Sequence, residues 1–305
     1  MLAPRRDSCR RPQTRTGADM KIAVIGLGLM GSAIALRLKR QGLDVVGWNR
    51  SPAKARALAD QEVAIAGSAA EAVDRSDLTV LALSDAAAVT ETLFGPEMNG
   101  TLGGHIFVQM GTISPSESRD IAHRVASRDG EYLESPVLGS LPEAQEGKLI
   151  VMAGGDPSLF QRCLPVLQAL SRDPRLIGEV GQGAALKLAM NQLIAGLTAA
   201  FSLSLALVRA EGIDVTEFMQ LLRGSALYAP TFDKKLDKYL SRQYGEANFP
   251  LKHLLKDVRL FRQVAEQIGM DTAPTVTIEA ACIRALDQGY GDQDYSSLYE
   301  ALVPR

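Results

Sequence analysis

The chain has 305 residues, 46% hydrophobic and 22% charged, with a mean hydropathy of +0.01; this is about two domains' length with ample core material, which excludes disordered and fibrous classes. Thirty-three Lys+Arg against 35 Asp+Glu leave a net charge of −2, so no basic surplus points to nucleic acid or an anionic membrane. Cys9, Cys163 and Cys282 lie far apart in no metal or redox spacing, and His105, His123 and His253 stand singly, which reads as reduced thiols, a cytoplasmic setting and no metal.

Residues 1–19 stand apart. They hold five arginines, two prolines, Asp7 and Asp19, with no apolar face at a helical period. A transit peptide is amphipathic and poor in acids, so this stretch reads as an upstream extension, or a misassigned start ahead of Met20, disordered either way. It carries a surplus of three positive charges, which leaves −5 on the remainder.

From Lys21 to about Gly183, short β-rich runs alternate with helical patterns. The runs are KIAVIG (21–26), LDVVGW (43–48), LTVLAL (78–83), HIFVQM (105–110) and KLIVMAG (148–154), with helical periodicity over 30–41 and 52–61. Such alternation predicts right-handed βαβ units and a mainly parallel sheet covered on both faces.

Gly26-Leu-Gly28-Leu29-Met30-Gly31 follows the first run and opens a helix. In that setting Gly26 permits a sharp turn, Gly28 leaves room for a pyrophosphate, and Gly31 lets helix and strand pack closely, with the helix N-terminus facing the phosphates. The expected fold is therefore a Rossmann-type doubly wound α/β domain over 20–182. The second run ends in Trp48-Asn49-Arg50-Ser51. A site selecting NAD places a carboxylate here for the ribose 2′-OH; Asn49 is uncharged and Arg50 can pair with a 2′-phosphate, so NADP(H) is expected over NAD(H). Leu83-Ser84 and Thr112 fall at carboxyl ends of later strands, where the crevice lies.

After Gly183 the strand runs stop, and helical segments over 184–211, 214–224, 230–241, 250–268 and 274–288 predict an all-helical domain over 183–305, with Gly212, Gly224 and Gly269 as helix stops. The uncharged stretch from Leu188 to Val208 has the length of a membrane span. Its Asn191, Gln192, Thr198, Ser202 and Ser204, closed by Lys187 and Arg209, suit a buried helix of a soluble protein better. Lys187 and Asn191 share one face of that helix, a turn apart. A lysine there faces either solvent, its stem along apolar surface, or a site. In a site, a partly desolvated ammonium has a lowered pKa and can protonate a developing alkoxide, with Asn191 holding the substrate oxygen or the lysine in line.

Taken together, the glycine motif, Ser135-Pro136-Val137, the Gly181-x-Gly183-x3-Lys187-x3-Asn191 run and Lys256-Asp257 resemble the β-hydroxyacid dehydrogenase (3-hydroxyisobutyrate dehydrogenase-like) family, over residues 21–302. Asn49-Arg50-Ser51, the run from Glu134 to Ser140, the run from Phe249 to Asp257 and Gly291-Asp-Gln-Asp-Tyr-Ser are most similar to its glyoxylate/succinic semialdehyde reductase branch. The resemblance implies Lys187 as general acid with Asn191 beside it. It implies a cofactor bound by Gly26, Gly28, Leu29, Met30, Gly31, Asn49, Arg50, Ser51, Leu83 and Ser84, with Thr112 and Lys256 at the nicotinamide end. The substrate carboxylate would meet Leu138, Gly139 and Ser140, while Phe249 and Asp257 close the pocket. It further implies a cleft between domains and a homodimer or homotetramer formed through the helical half.

Two residues depart from the family pattern: Leu138 stands where a serine hydroxyl helps bind a carboxylate, and Gly111 replaces a serine before Thr112. A hydrogen bond to a charged group contributes about 1.5–3 kcal/mol, so affinity for a small acid is expected to fall by about tenfold to a hundredfold. The leading reading is NADPH-dependent reduction of a small aldehyde acid. An imine reductase, which generally lacks a lysine at position 187, and a non-catalytic NADP-binding module are the rivals, and Lys187 argues against both.

Overall fold

The computed structural model describes residues 20–98 and 102–303; the extension at 1–19, with Cys9, lies outside them. One sheet collects β1 (Lys21–Ile25), β2 (Asp44–Trp48), β3 (Ala64–Ile65), β4 (Leu78–Leu81), β5 (Ile106–Gln109), β6 (Glu131–Glu134), β7 (Val137–Leu138), β8 (Ile150–Gly154) and β9 (Arg175–Gly178). Their order is β3-β2-β1-β4-β5-β6-β8-β7, with β9 on β8. Pairing is parallel from β3 to β6 and antiparallel where β8 meets β6 and β7. The strand order reverses between β1 and β4, which opens the crevice used by dinucleotide folds.

The five apolar runs became β1, β2, β4, β5 and β8. The other four strands escape the pattern for physical reasons. β3 and β7 are two residues long, β6 is flanked by Glu131 and Glu134, and β9 begins on an arginine. Alternation along the parallel strands feeds two cores: Ile22 and Val24 face one, Ala23 and Ile25 the other. Over these faces lie α1 (Leu29–Arg40), α2 (Pro52–Ala59), α3 (Ala69–Asp74), α4 (Ala86–Phe94), α5 (Pro115–Ala126), α6 (Leu141–Glu146) and α7 (Pro157–Leu170).

Beyond Gly178 the described chain is helical: α8 (Gln182–Ala210), α9 (Val215–Arg223), α10 (Pro230–Ser241), α11 (Leu251–Gln267), α12 (Ala273–Ala285) and α13 (Leu298–Leu302). Gly212 and Gly269 stop α8 and α11 in the left-handed region, at φ +68° and +75°, as their positions suggest. Gly224 also stops its helix, capping α9, but at φ −80° rather than in the left-handed region, because the chain goes on into a tight turn in which the Ser225 amide donates to the Leu222 carbonyl. The expectation that α8 is buried also needs correction: the helix is buried along one face and leaves large apolar side chains in the open on the other. Asn191, Thr198 and Ser202 occupy the covered face, while Leu193, Leu203 and Leu207 are 58%, 55% and 64% exposed. The two hydroxyls can be buried because they donate back to Ile194 and Thr198 carbonyls at 2.7 Å.

Candidate active site

Every residue singled out for cofactor or substrate lines one cleft of about 2010 Å³. That exceeds the range of about 300–1,000 Å³ for a single small-molecule pocket and leaves room for a dinucleotide and a substrate together.

At the β1–α1 turn the three glycines behave as their spacing suggests. Gly26 has φ +96°, and a Cβ there would sit 2.5 Å from the Ala82 carbonyl oxygen. A Cβ on Gly31 would lie 1.8 Å from the Gly26 oxygen, whereas one on Gly28 meets nothing within 4 Å. So Gly26 and Gly31 hold the turn shut and Gly28 leaves an open cradle. No side chain caps the start of α1 and its first turn carries no acid, so its amides are free for phosphate oxygens. Leu29, 52% exposed, and Met30 stand at the rim. These features fit a bound dinucleotide.

The end of β2 is engaged with the protein's own groups. Asn49 accepts from the Leu27 amide at 2.9 Å and donates to the Ser51 carbonyl at 3.1 Å, tying the glycine turn to the loop. Arg50 pairs with Glu91 at 3.2 Å, both side chains being mostly exposed. Ser84, beside Leu83, donates to Asp85 at 2.8 Å.

Where the sheet meets the helices, Glu134 has a part that no sequence pattern suggested. This buried carboxylate accepts from the Gly183 and Ala184 amides at 2.8 and 3.2 Å and from the Ser118 hydroxyl at 2.5 Å. A Cβ on Gly154 would lie 2.2 Å from it, so that glycine admits the carboxylate. An acid at the start of α8 satisfies free amides and complements the helix dipole, anchoring the helix one turn before Lys187.

Lys187 is 8% exposed and lines the cleft, which settles whether it faces solvent or a cavity. Burial pulls its pKa down to about 8; Asp257 opposes this and the Lys256 charge adds to it. Asn191 donates to Asp257 at 2.6 Å. Lys256 lies 2.9 Å from the other Asp257 oxygen and donates to the Thr112 carbonyl at 2.6 Å, drawing α11 onto the loop after β5. Asn191 Oδ1 is buried without a hydrogen-bond partner. Because Nδ2 is committed to Asp257, the side of Asn191 left open is an acceptor, suited to a hydroxyl proton.

In the loop expected to meet the substrate, Leu138 is half-buried and Gly139 takes φ +138°. Ser140 is already bonded: its amide and hydroxyl donate to Glu143 at 2.7 and 2.5 Å, and Lys234 from α10 reaches both. Ser140-x-x-Glu143 is a capping pattern legible in sequence; the arrival of Lys234 is not. Phe249 packs on Tyr295 with ring centroids 5.8 Å apart. Gly111 has a local cause, since a Cβ there would lie 2.4 Å from the Leu83 oxygen. Among the described residues no group of His, Cys, Asp and Glu could hold a metal ion.

Comparison with known proteins accords with this geometry. Residues 21–181 match the NAD binding domain of 6-phosphogluconate dehydrogenase, and residues 181–302 match the NAD-binding segment of NADP-dependent 3-hydroxyisobutyrate dehydrogenase. The chain belongs to the β-hydroxyacid dehydrogenase family. Like the family's other members it is an NAD(P)-dependent oxidoreductase, and its two-part architecture is the family's. Glyoxylate/succinic semialdehyde reductase 1 of Arabidopsis thaliana is 30% identical over 93% of this chain and 98% of its own. A Salmonella typhimurium 3-hydroxyisobutyrate dehydrogenase structure superposes with TM-score 0.81 at 25% identity, covering 92% and 99% of the two chains. A reductive aminase from Aspergillus terreus, solved with NADPH, cyclohexanone and allyl amine, gives TM-score 0.61 at 26% identity over 92% and 98%.

Proposed function

We propose that this dehydrogenase is an NADPH-dependent reductase of a small aldehyde acid, of the glyoxylate or succinic semialdehyde kind, with Lys187 supplying the proton. The observation that carries the reading is a buried lysine lining the cofactor cleft, beside an asparagine whose oxygen has no partner. Preference for NADPH is supported by the lack of a carboxylate at the end of β2 and by the exposed Arg50, which can turn from Glu91 to a 2′-phosphate.

When bound, the nicotinamide supplies the hydride. The protein's residues then handle charge and protons. Lys187 Nζ, protonated, donates to the substrate oxygen as negative charge grows there, and is left as the amine. Asp257 favours the ammonium before the transfer and fixes the Asn191 amide, whose Oδ1 accepts the new hydroxyl. Lys256, held between Asp257 and the Thr112 carbonyl, keeps the helical half closed on the sheet at this point. Oxidation of the alcohol runs the same steps backward, with Lys187 as base.

The sign of the pH dependence follows. A general acid must be protonated, so the rate of reduction holds below pH about 8 and falls above it, whereas oxidation rises through the same range. The exposed leucines of α8 form the face that a second copy of the chain covers in this reading.

A second reading, a reductase of imines or uncharged carbonyls, is favoured by one observation: Leu138 lines the cleft at the loop proposed to read the acid. NADPH oxidation against glyoxylate, succinic semialdehyde, tartronate semialdehyde and cyclic imines, with NADH in parallel, tests both. Fast turnover of an aldehyde acid with NADPH and a fall above pH about 8 is expected. Silence on every acid with turnover of an imine overturns the first reading in favour of the second.

A further inference from the structure

The substrate side of the cleft holds a charge cluster that proton transfer does not use. Lys234 projects from α10 with its side chain half exposed and meets Glu143 at 3.1 Å and the Ser140 hydroxyl at 3.3 Å. Ser140 gives the same carboxylate its amide and its hydroxyl. Three donors, from both halves of the molecule, thus converge on one carboxylate, and it is the protein's own. Partial burial opposes ionisation of Glu143, but the donors together outweigh it and hold the group well below the usual carboxylate range, at about 2. It is therefore an anion wherever the enzyme works.

Apart from Lys187, the other lysines lining the cleft near this cluster have partners of their own, Lys148 pairing with Glu146. Lys235 is buried against Asp294 at 2.6 Å, Lys256 is held by Asp257 and the Thr112 carbonyl, and Lys252 is paired with Asp292 at 2.5 Å. Leu138 has no donor to offer. The Lys234–Glu143 pair reaches solvent on both sides, at 49% and 33% exposure, as Lys252–Asp292 does at 49% and 87%, and partly exposed pairs are held weakly enough to exchange. Of the two, Lys234 is the one that also reaches Ser140, in the loop that the resemblance assigns to the substrate carboxylate.

We propose that Lys234 receives the substrate's carboxylate and that Glu143 is its resident stand-in, so that an aldehyde acid binds by replacing one carboxylate with another on Lys234 and Ser140. The proposal rests on the aldehyde-acid reading above and names the residue that would supply what Leu138 cannot. Exchange leaves the charge count at Lys234 unchanged and turns Glu143 toward water. An uncharged tail gains nothing from Lys234, so the pair sets specificity for the acid.

The test is binding without turnover. 4-Hydroxybutyrate and 1,4-butanediol, which differ at the tail, are titrated calorimetrically into the protein saturated with NADPH, where no hydride can pass to an alcohol. The wild type is expected to prefer the hydroxy acid. Lys234→Gln should erase that preference by tenfold or more, as loss of a charge-assisted contact requires, with diol binding unchanged. Glu143→Gln should tighten the hydroxy acid several-fold and leave the diol alone. A preference that survives in Lys234→Gln, or a wild type without one, overturns the proposal. Turnover of succinic semialdehyde is scored separately. Lys234-dependent acid binding without any turnover sinks the reductase reading alone, and turnover with Lys234-independent binding sinks the exchange alone.

Discussion

At the β1–α1 turn the cleft takes its shape from side chains that are missing, whereas around Lys187 it takes its shape from charged side chains drawn from α6, α8, α10 and α11. The turn needs residues 26–31, the backbone they approach and one side-chain tie, from Asn49 to the Leu27 amide. The Lys187 region needs Glu134 under the helix, Asp257 between Asn191 and Lys256, and the Thr112 carbonyl across the cleft. A cradle made by absence is rigid and tolerates no added atom. A network of paired charges is adjustable, and each partner's loss leaves another group uncompensated. The glycine turn is therefore sterically determined, and the Lys187 region electrostatically tuned.

This contrast can be broken from either side. The largest effect is expected at Lys187→Ala, which should lower kcat for reduction by about 10²–10⁴ while the dissociation constant for NADPH stays nearly unchanged. Single-turnover kinetics with fluorescence titration of NADPH reads both, and parallel loss of the two would mean that the ends of the cleft are not separable. Next comes Gly31→Ala. The added Cβ meets backbone at 1.8 Å, which no rotamer relieves, so overpacking should cost about 1–3 kcal/mol of stability and weaken the cofactor strongly. Thermal unfolding with and without NADPH measures it; a variant that melts and binds like the wild type would show the turn to be softer than its contacts. The smallest effect belongs to Arg50→Ala. Its pairing with Glu91 is exposed on both sides and contributes little to stability, so Tm should not move, but KM for NADPH should rise about tenfold, the order of one charged hydrogen bond, with KM for NADH unchanged. Equal changes for the two cofactors would remove the 2′-phosphate assignment.

Much of this is legible in the amino-acid sequence. The glycine spacing places the turn because each position answers to one steric demand, and the observed φ of Gly26 and the clash at Gly31 meet those demands. The i, i+4 spacing of Lys187 and Asn191 puts them on one helix face, and both line the cleft. Periodicity places the five long helices within a few residues. It does not disclose that α8 leaves its leucines uncovered, because an apolar face looks the same in sequence whether its cover lies within the chain or outside it. Nor does it disclose β6, a buried strand ending in a carboxylate that the amides of α8 satisfy.

What the sequence determined by itself are the local features: the strand–glycine–helix turn, the helical half, the absence of an acid after β2, and a lysine and asparagine on a shared face. These depend on residues within a few positions of one another, where backbone sterics and helix geometry leave little choice. The tertiary structure decided the partnerships. Glu134 and Gly183 are 49 positions apart, Asn191 and Asp257 66, Lys234 and Glu143 91, and Lys256 and Thr112 144. Such pairs form only once the chain has packed, and they set whether Lys187 is buried enough to carry a pKa of about 8 and whether Ser140 is free to meet a substrate. Charge and hydrogen bonding act through space, which is why these residues reveal their roles only in the folded molecule.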